Sequence, residues 1–138
     1  RPATMTDAYV LLAWRNDVET RQASHNMDEV SLENHLAWLK SSFSKPEKRR
    51  LWVAELNGVS VGTCRADKRD DAWELSWTVA PEARGQGVAF KMLSALIEDF
   101  REPLEAQVKV GNIPSIKVAE RLGFVLEKEH GGVLFYRH

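Results

Sequence analysis

The stretch richest in chemistry is a glycine-containing loop, Val79-Ala80-Pro81-Glu82-Ala83-Arg84-Gly85-Gln86-Gly87-Val88-Ala89. A strand pattern ends before it and a helix pattern starts after it. The first amides of a helix lack intrahelical acceptors, so a helix start offers N–H groups to an anion. Gly85 and Gly87 let a phosphate approach the main chain closely. Arg84 can add a charge-assisted contact. Just upstream, Trp73-Glu74-Leu75-Ser76-Trp77-Thr78-Val79 alternates, which sets Glu74, Ser76 and Thr78 on one face of a strand. A carboxylate there is a candidate general base, or a solvated residue paired with Arg65.

Three phosphate-holding patterns compete for the loop. A dinucleotide fingerprint needs a third glycine where Phe90 stands, and a P-loop needs a Gly-Lys-Ser/Thr run that is absent. An acyl-CoA pyrophosphate loop reads Gln or Arg, two residues, Gly, one residue, Gly or Ala. Arg84, Gly87 and Ala89 satisfy it. An ordinary strand-to-helix turn stays open as the alternative.

These residues must be held by a mixed framework. Thr6 or Asp7 caps a first helix with Tyr9, Val10, Leu12 and Ala13 at helical spacing, and Ser31 caps a second with Leu32, Leu36, Leu39 and Phe43. Lys45–Arg50 reads as a basic loop. Leu51–Leu56 and Val59–Ala66 read as strands joined at Asn57-Gly58, a type I′ hairpin signal. The charged run Asp67–Asp71 reads as a turn. After the strand ending at Val79, the pattern predicts a helix over Gly87–Phe100, a strand from Leu104 to Val110 and a helix from Pro114 to Leu122. Short strands over Phe124–Glu127 and Val133–Arg137 close the chain around Gly131-Gly132. The order α-α-β-β-β-α-β-α-β-β predicts an α/β (α+β) domain, a sheet with helices packed on it.

Composition narrows the function. The chain has 138 residues, 43% hydrophobic and 28% charged, which fits one globular domain spanning 1–138. Nineteen Lys and Arg against twenty Asp and Glu leave a net charge of −1. No global basic field exists to hold nucleic acid or an anionic membrane. The longest apolar run, Ala8–Trp14, is too short for a membrane span. Cys64 is the only cysteine, so no intramolecular disulfide or Cys-rich zinc site forms, and a reducing cytoplasm is the expected location. His25, His130 and His138 lack metal-ligand spacing, and no metal is expected.

A second segment gives the loop its context: Asn112-Ile113-Pro114-Ser115-Ile116-Lys117-Val118-Ala119-Glu120-Arg121-Leu122-Gly123-Phe124. Together the two segments resemble the GCN5-related N-acetyltransferase (GNAT) superfamily, with Asn112, Ser115, Arg121, Leu122, Gly123 and Phe124 on its second signature. The resemblance covers Arg1–His138 and implies a central mixed sheet of about 6–7 strands, helices on both faces and a splayed strand pair. It also implies that the first strand is truncated here. Trp14-Arg15-Asn16, Arg21 and Glu33-x-His35-Leu36-x-Trp38 resemble a narrower branch, acetyltransferases of nucleotide-linked amino sugars. Ribosomal-protein N-terminal acetyltransferases share a similar opening.

The resemblance implies acetyl transfer from acetyl-CoA, the cosubstrate, to a primary amine by direct attack in a ternary complex. Arg84, Gly85, Gln86, Gly87, Val88 and Ala89 would hold the pyrophosphate. The strand Trp77, Thr78, Val79 would align the pantetheine arm, and Asn112 and Ser115 would contact CoA. Glu74 would take the amine proton. The family's frequent tyrosine is replaced by Ala119, so Tyr136 is the stand-in candidate for protonating the thiolate. That departure leaves a noncatalytic acyl-CoA sensor as a rival. Arg15, Asn16 and His35 are the candidate acceptor-site residues, with Arg15 meeting a phosphate if the acceptor is a nucleotide sugar. A homodimer is open.

Overall fold

Local chemistry sets the element ends across residues 1–138, which the computed structural model describes in full. Three helices come first: α1 (Ala8–Asn16), α2 (Val18–Ala23) and α3 (Leu32–Phe43). The Ser31 side chain accepts the Asn34 amide at 3.2 Å and starts α3. Strands β1 (Arg49–Leu56) and β2 (Val59–Arg69) meet at Asn57 and Gly58, both at positive φ as a type I′ turn requires. Strand β3 (Ala72–Val79) leads through the glycine loop into α4 (Val88–Ile97). Strand β4 (Leu104–Lys109), α5 (Ile113–Arg121) and the hairpin β5 (Val125–His130) and β6 (Val133–Arg137) complete the chain.

The six strands form one sheet in the order β1-β2-β3-β4-β6-β5. Only β3 and β4 are parallel; the other neighbours are antiparallel. Alternation divides the sheet into two faces. Cys64, Ala66, Trp73, Leu75, Ala106 and Val108 face α4 and α5, where Leu93 is fully buried. Leu51 and Val53 face α1 and α3, where Leu39 is fully buried. Helices therefore cover both faces. No helix is long and apolar enough to cross a membrane.

Three readings from sequence need correction. Helix α2 was not foreseen: it buries no residue and carries no apolar stripe. It stands on its cap, where Asp17 Oδ2 accepts the Thr20 amide at 3.3 Å. Strand β1 starts at Arg49, inside the predicted loop. Strand β2 continues through the predicted turn to Arg69, with Asp67 only 2% exposed. Arg49 Nε at 2.5 Å and Arg65 Nε at 2.8 Å hold that carboxylate, so a charged residue sits inside the sheet as one member of a paired cluster.

Candidate active site

The sheet opens where β3 and β4 part. They pair at Trp73–Leu104, Glu74–Glu105 and Leu75–Ala106, and nowhere further along. The Trp73 amide donates to Pro103 O on the β4 side at 3.0 Å, whereas the Ala80 amide donates to Val61 O on the β2 side at 2.8 Å. Amides alternate sides along a strand. Trp77 and Val79 therefore turn their N–H groups into the gap, and Thr78, opposite Thr63, is engaged with β2. Of the three residues expected to align a ligand, two offer free backbone and the third does not.

The glycine loop closes the end of this gap. Gly85 at φ 77° and Gly87 at φ 76° are left-handed, a conformation that costs a side-chain-bearing residue energy. Gly87 caps α4, and none of the amides from Gly85 to Phe90 donates to an acceptor within the chain. A run of free amides at a helix start fits a phosphate. Arg84 behaves differently from expectation. Its guanidinium donates to Asp17 Oδ2 at 2.6 Å and Glu19 Oε2 at 2.9 Å, tying the loop to α2. That pairing holds the Asp17 carboxyl below its usual range. Gln86 turns back to Glu82 O at 3.4 Å.

A cleft of about 1320 Å³ runs from this loop through the gap to the α1–α3 face. Asn112 and Ser115 line it. Asn112 Oδ1 caps α5 by accepting the Ser115 amide at 3.3 Å, which leaves the Ser115 hydroxyl free for a ligand. Glu74 also lines the cleft, just below the point where the strands part. Its Oε1 accepts from Gln107 Nε2 at 3.1 Å and lies 3.6 Å from Arg69 Nε, so its partner is Arg69 rather than Arg65. Gln107, an exposed residue of β4 with no signal in the sequence, thus orients the candidate base.

Tyr136 lies elsewhere. It is buried in the core under α5, and its hydroxyl donates to Glu120 at 3.4 Å. Burial and the Glu120 carboxylate push its phenol above the usual value, making it a weaker acid. Neither placement nor acidity suits a proton donor in the cleft. Cys64 is fully buried, and burial pushes its thiol up to about 12, so it supplies no nucleophile. No three His, Cys, Asp or Glu residues cluster closely enough to hold a metal ion.

The acceptor side divides the three predicted residues. Asn16 is used internally: its side chain donates to Val30 O at 2.8 Å and accepts the Val30 amide at 2.7 Å, pinning the α2–α3 connection. His35 is buried and its Nε2 bonds Ala8 O at 3.1 Å, which joins α3 to α1. Burial lowers its pKa. Arg15 remains available. One guanidinium nitrogen donates to Asn26 O at 2.8 Å, and Nη1 is buried without a partner. Arg65, missed as a cleft residue, lines the same wall beside Trp38, whose ring its guanidinium covers at 5.6 Å. Its signal was the alternation of Thr63, Arg65 and Asp67, legible only once β2 is in register with β3.

A model of the Acetyltransferase (GNAT) domain matches residues 1–125. Among solved structures, a ribosomal-protein-alanine N-acetyltransferase from Brucella melitensis is 32% identical, with a TM-score of 0.86 and coverage of 100% of this chain and 97% of that one. YncA from Salmonella typhimurium, solved with acetyl-CoA, is 26% identical, with a TM-score of 0.84 and coverage of 100% and 91%. The aminoglycoside acetyltransferase AAC(6')-Ib, solved with ribostamycin and coenzyme A, shares the fold at 19% identity, with a TM-score of 0.83 and coverage of 99% and 89%. No curated protein matches the sequence.

Proposed function

Because the chain belongs to the GNAT acetyltransferase family and uses acetyl-CoA, we propose that its acceptor is the α-amino group of a polypeptide N-terminus. The observation that carries this reading is the 32% identity to a ribosomal-protein-alanine N-acetyltransferase, which extends over this whole chain, acceptor-side helices included.

The geometry supports direct transfer. Acetyl-CoA supplies the activated acyl group. The amides of Gly85–Phe90 bind its diphosphate, with Asn112 and Ser115 beside them. Trp77 and Val79 present amides to the arm and to the thioester oxygen, where they oppose the charge that develops on attack. Glu74, fixed by Gln107, accepts the proton that the amine sheds as the C–N bond forms and the C–S bond breaks. No residue of the cleft is assigned to the departing thiolate, a tolerable leaving group that water can protonate. The single buried Cys64 is in keeping with a cytoplasmic setting.

A nucleotide-linked amino sugar is the second reading, and Arg15 is the observation that favours it: a phosphate would satisfy its unpartnered Nη1. Asn16 and His35 give it no support, since both are spent on backbone partners.

The deciding experiment measures CoA thiol release from acetyl-CoA with three acceptors: alanyl-initiated peptides, UDP-linked 4-amino sugars and an aminoglycoside. Turnover confined to the peptides is expected. Turnover confined to the sugars or to the aminoglycoside overturns the peptide reading.

A further inference from the structure

The wall of the cleft opposite the glycine loop carries more positive charge than the protein neutralises. Asp67 is shared between Arg49 and Arg65, one carboxylate for two guanidinium groups. Arg15 has no carboxylate partner at all; the charges that act on it are Arg65 and Arg21, both repulsive. Arg21 reaches only Glu29, at 3.8 Å, and its Nε is buried without a hydrogen bond. The two acids that line the cleft are already engaged, Glu74 with Arg69 and Gln107 and Glu19 with Arg84. Burial and the neighbouring arginines lower the Arg15 pKa, a sign that its charge is held there at a cost.

Arg65 is the better-aimed of the pair. Its Nε lies 2.8 Å from Asp67 Oδ2 as an ion pair without a hydrogen bond, its guanidinium carbon sits 5.6 Å from the Trp38 ring centre, and its two terminal nitrogens make no hydrogen bond within the chain. A guanidinium held beside one carboxylate and over a ring, with both terminal nitrogens unpartnered, offers them as a fork to a second carboxylate. Arg65 stands opposite Ser76 on β3, on the same face as Glu74. Glu74 and Ser76 are two residues apart on the strand, about 6.7 Å. An amine at Glu74 and an anion at Arg65 are therefore separated by roughly two residues of extended chain. That spacing is too long for the α-carboxylate of a free amino acid and suits an acidic side chain just after the N-terminal residue.

Resting on the peptide reading above, we infer that Arg65 and Arg15 form an anion subsite that selects acceptors bearing a carboxylate about two residues from the reactive amine. The subsite is a specificity determinant and takes no part in the acyl transfer itself.

The test compares kcat/KM for two peptides, Ala-Asp-Asp-Leu-Phe and Ala-Asn-Asn-Leu-Phe, which differ only in charge. It also compares 6-aminohexanoate with 6-aminohexanamide, a pair without a peptide bond. The acidic peptide is expected to exceed its amide counterpart by about tenfold, a ratio that converts to roughly 1.4 kcal/mol. In Arg15→Gln, and in the charge-retaining Arg65→Lys, the ratio should shrink while the KM for acetyl-CoA stays unchanged. Equal rates for both members of each pair, or an equal loss for both in the variants, would overturn the subsite. A carboxylate preference seen only in the aminohexanoate pair, with peptides inert, would keep the subsite and overturn the peptide reading. Silence with all four amines overturns both.

Discussion

At the β3–β4 gap, the groups offered to a ligand are main-chain amides, from Trp77 and Val79 on the strand and from Gly85 to Phe90 on the loop. At the α1–α3 wall, they are side chains: Arg15 from the first helix, Trp38 from the third, Arg65 and Glu74 from neighbouring strands. The first end is the one proposed to hold the diphosphate and the extended arm of the acetyl donor, and backbone geometry suffices for that. The second end must distinguish one amine from another, and that requires charges and rings brought from distant segments. Arg84 links the two, since it sits on the loop but spends its charge on Asp17 and Glu19 of the acceptor-side helices.

Three substitutions or conditions would break or sharpen this contrast. The largest effect is expected at Glu74→Gln. Loss of a general base lowers kcat by about 10²–10⁴-fold, with the KM for acetyl-CoA unchanged because the amide end is untouched. The Arg69 contact it gives up is long and its arginine end is exposed, so little stability is lost. A kcat within threefold of the parent would remove Glu74 from the base role.

An intermediate effect is expected at Gly87→Val. No neighbouring protein atom crowds a side chain there, so within the protein the cost lies in the left-handed backbone, and a side chain also takes up room at the proposed diphosphate site. About 1–2 kcal/mol of strain should appear as a KM for acetyl-CoA raised about tenfold, while discrimination between acceptors is preserved. A change in acceptor preference instead would show that the two ends are not separable.

The smallest effect concerns His35. Its folded pKa lies below the ordinary 6.5, because burial disfavours the charged ring. As pH falls below 6.5 the unfolded chain takes up a proton that the folded chain refuses, so stability declines with falling pH. Urea unfolding at pH 7.5 and 5.5 should show this slope, and His35→Gln should flatten it. The carboxylates held low by arginine, Asp7 and Asp17, contribute above their unfolded value near 3.8 and are lost only at more acid pH, outside that window. An unchanged slope in His35→Gln would mean that the ring is not buried in its neutral form.

The same contrast explains what could be read in advance. The hairpin at Asn57-Gly58, the helix start at Gly87 and the cap at Asn112 were legible because each depends on one or two residues and a local backbone conformation. Helix α2 was not, because it has no apolar stripe and rests on Asp17 and a bond from Arg84, which lies far along the chain. Asp67 reads as turn chemistry, yet it is buried because Arg49 and Arg65 arrive from adjacent strands. Asn16 and His35 read as acceptor groups because the stretches that carry them resemble the amino-sugar branch, with the polar faces of two surface helices as the alternative. Their use on Val30 and Ala8 depends on how those helices pack.

The sequence alone determined the order of elements apart from α2, and the glycine loop, since these follow from periodicity and from residues that fix their own backbone; its two motifs pointed to the family by resemblance. The tertiary structure decided the rest: which amides of β3 face the gap, that Tyr136 lies under α5 rather than in the cleft, and that Arg15 and Arg65 share one wall with too few acids to neutralise them. Pairing register and the burial of charge are set by contacts between segments far apart in the chain, and no local pattern records them.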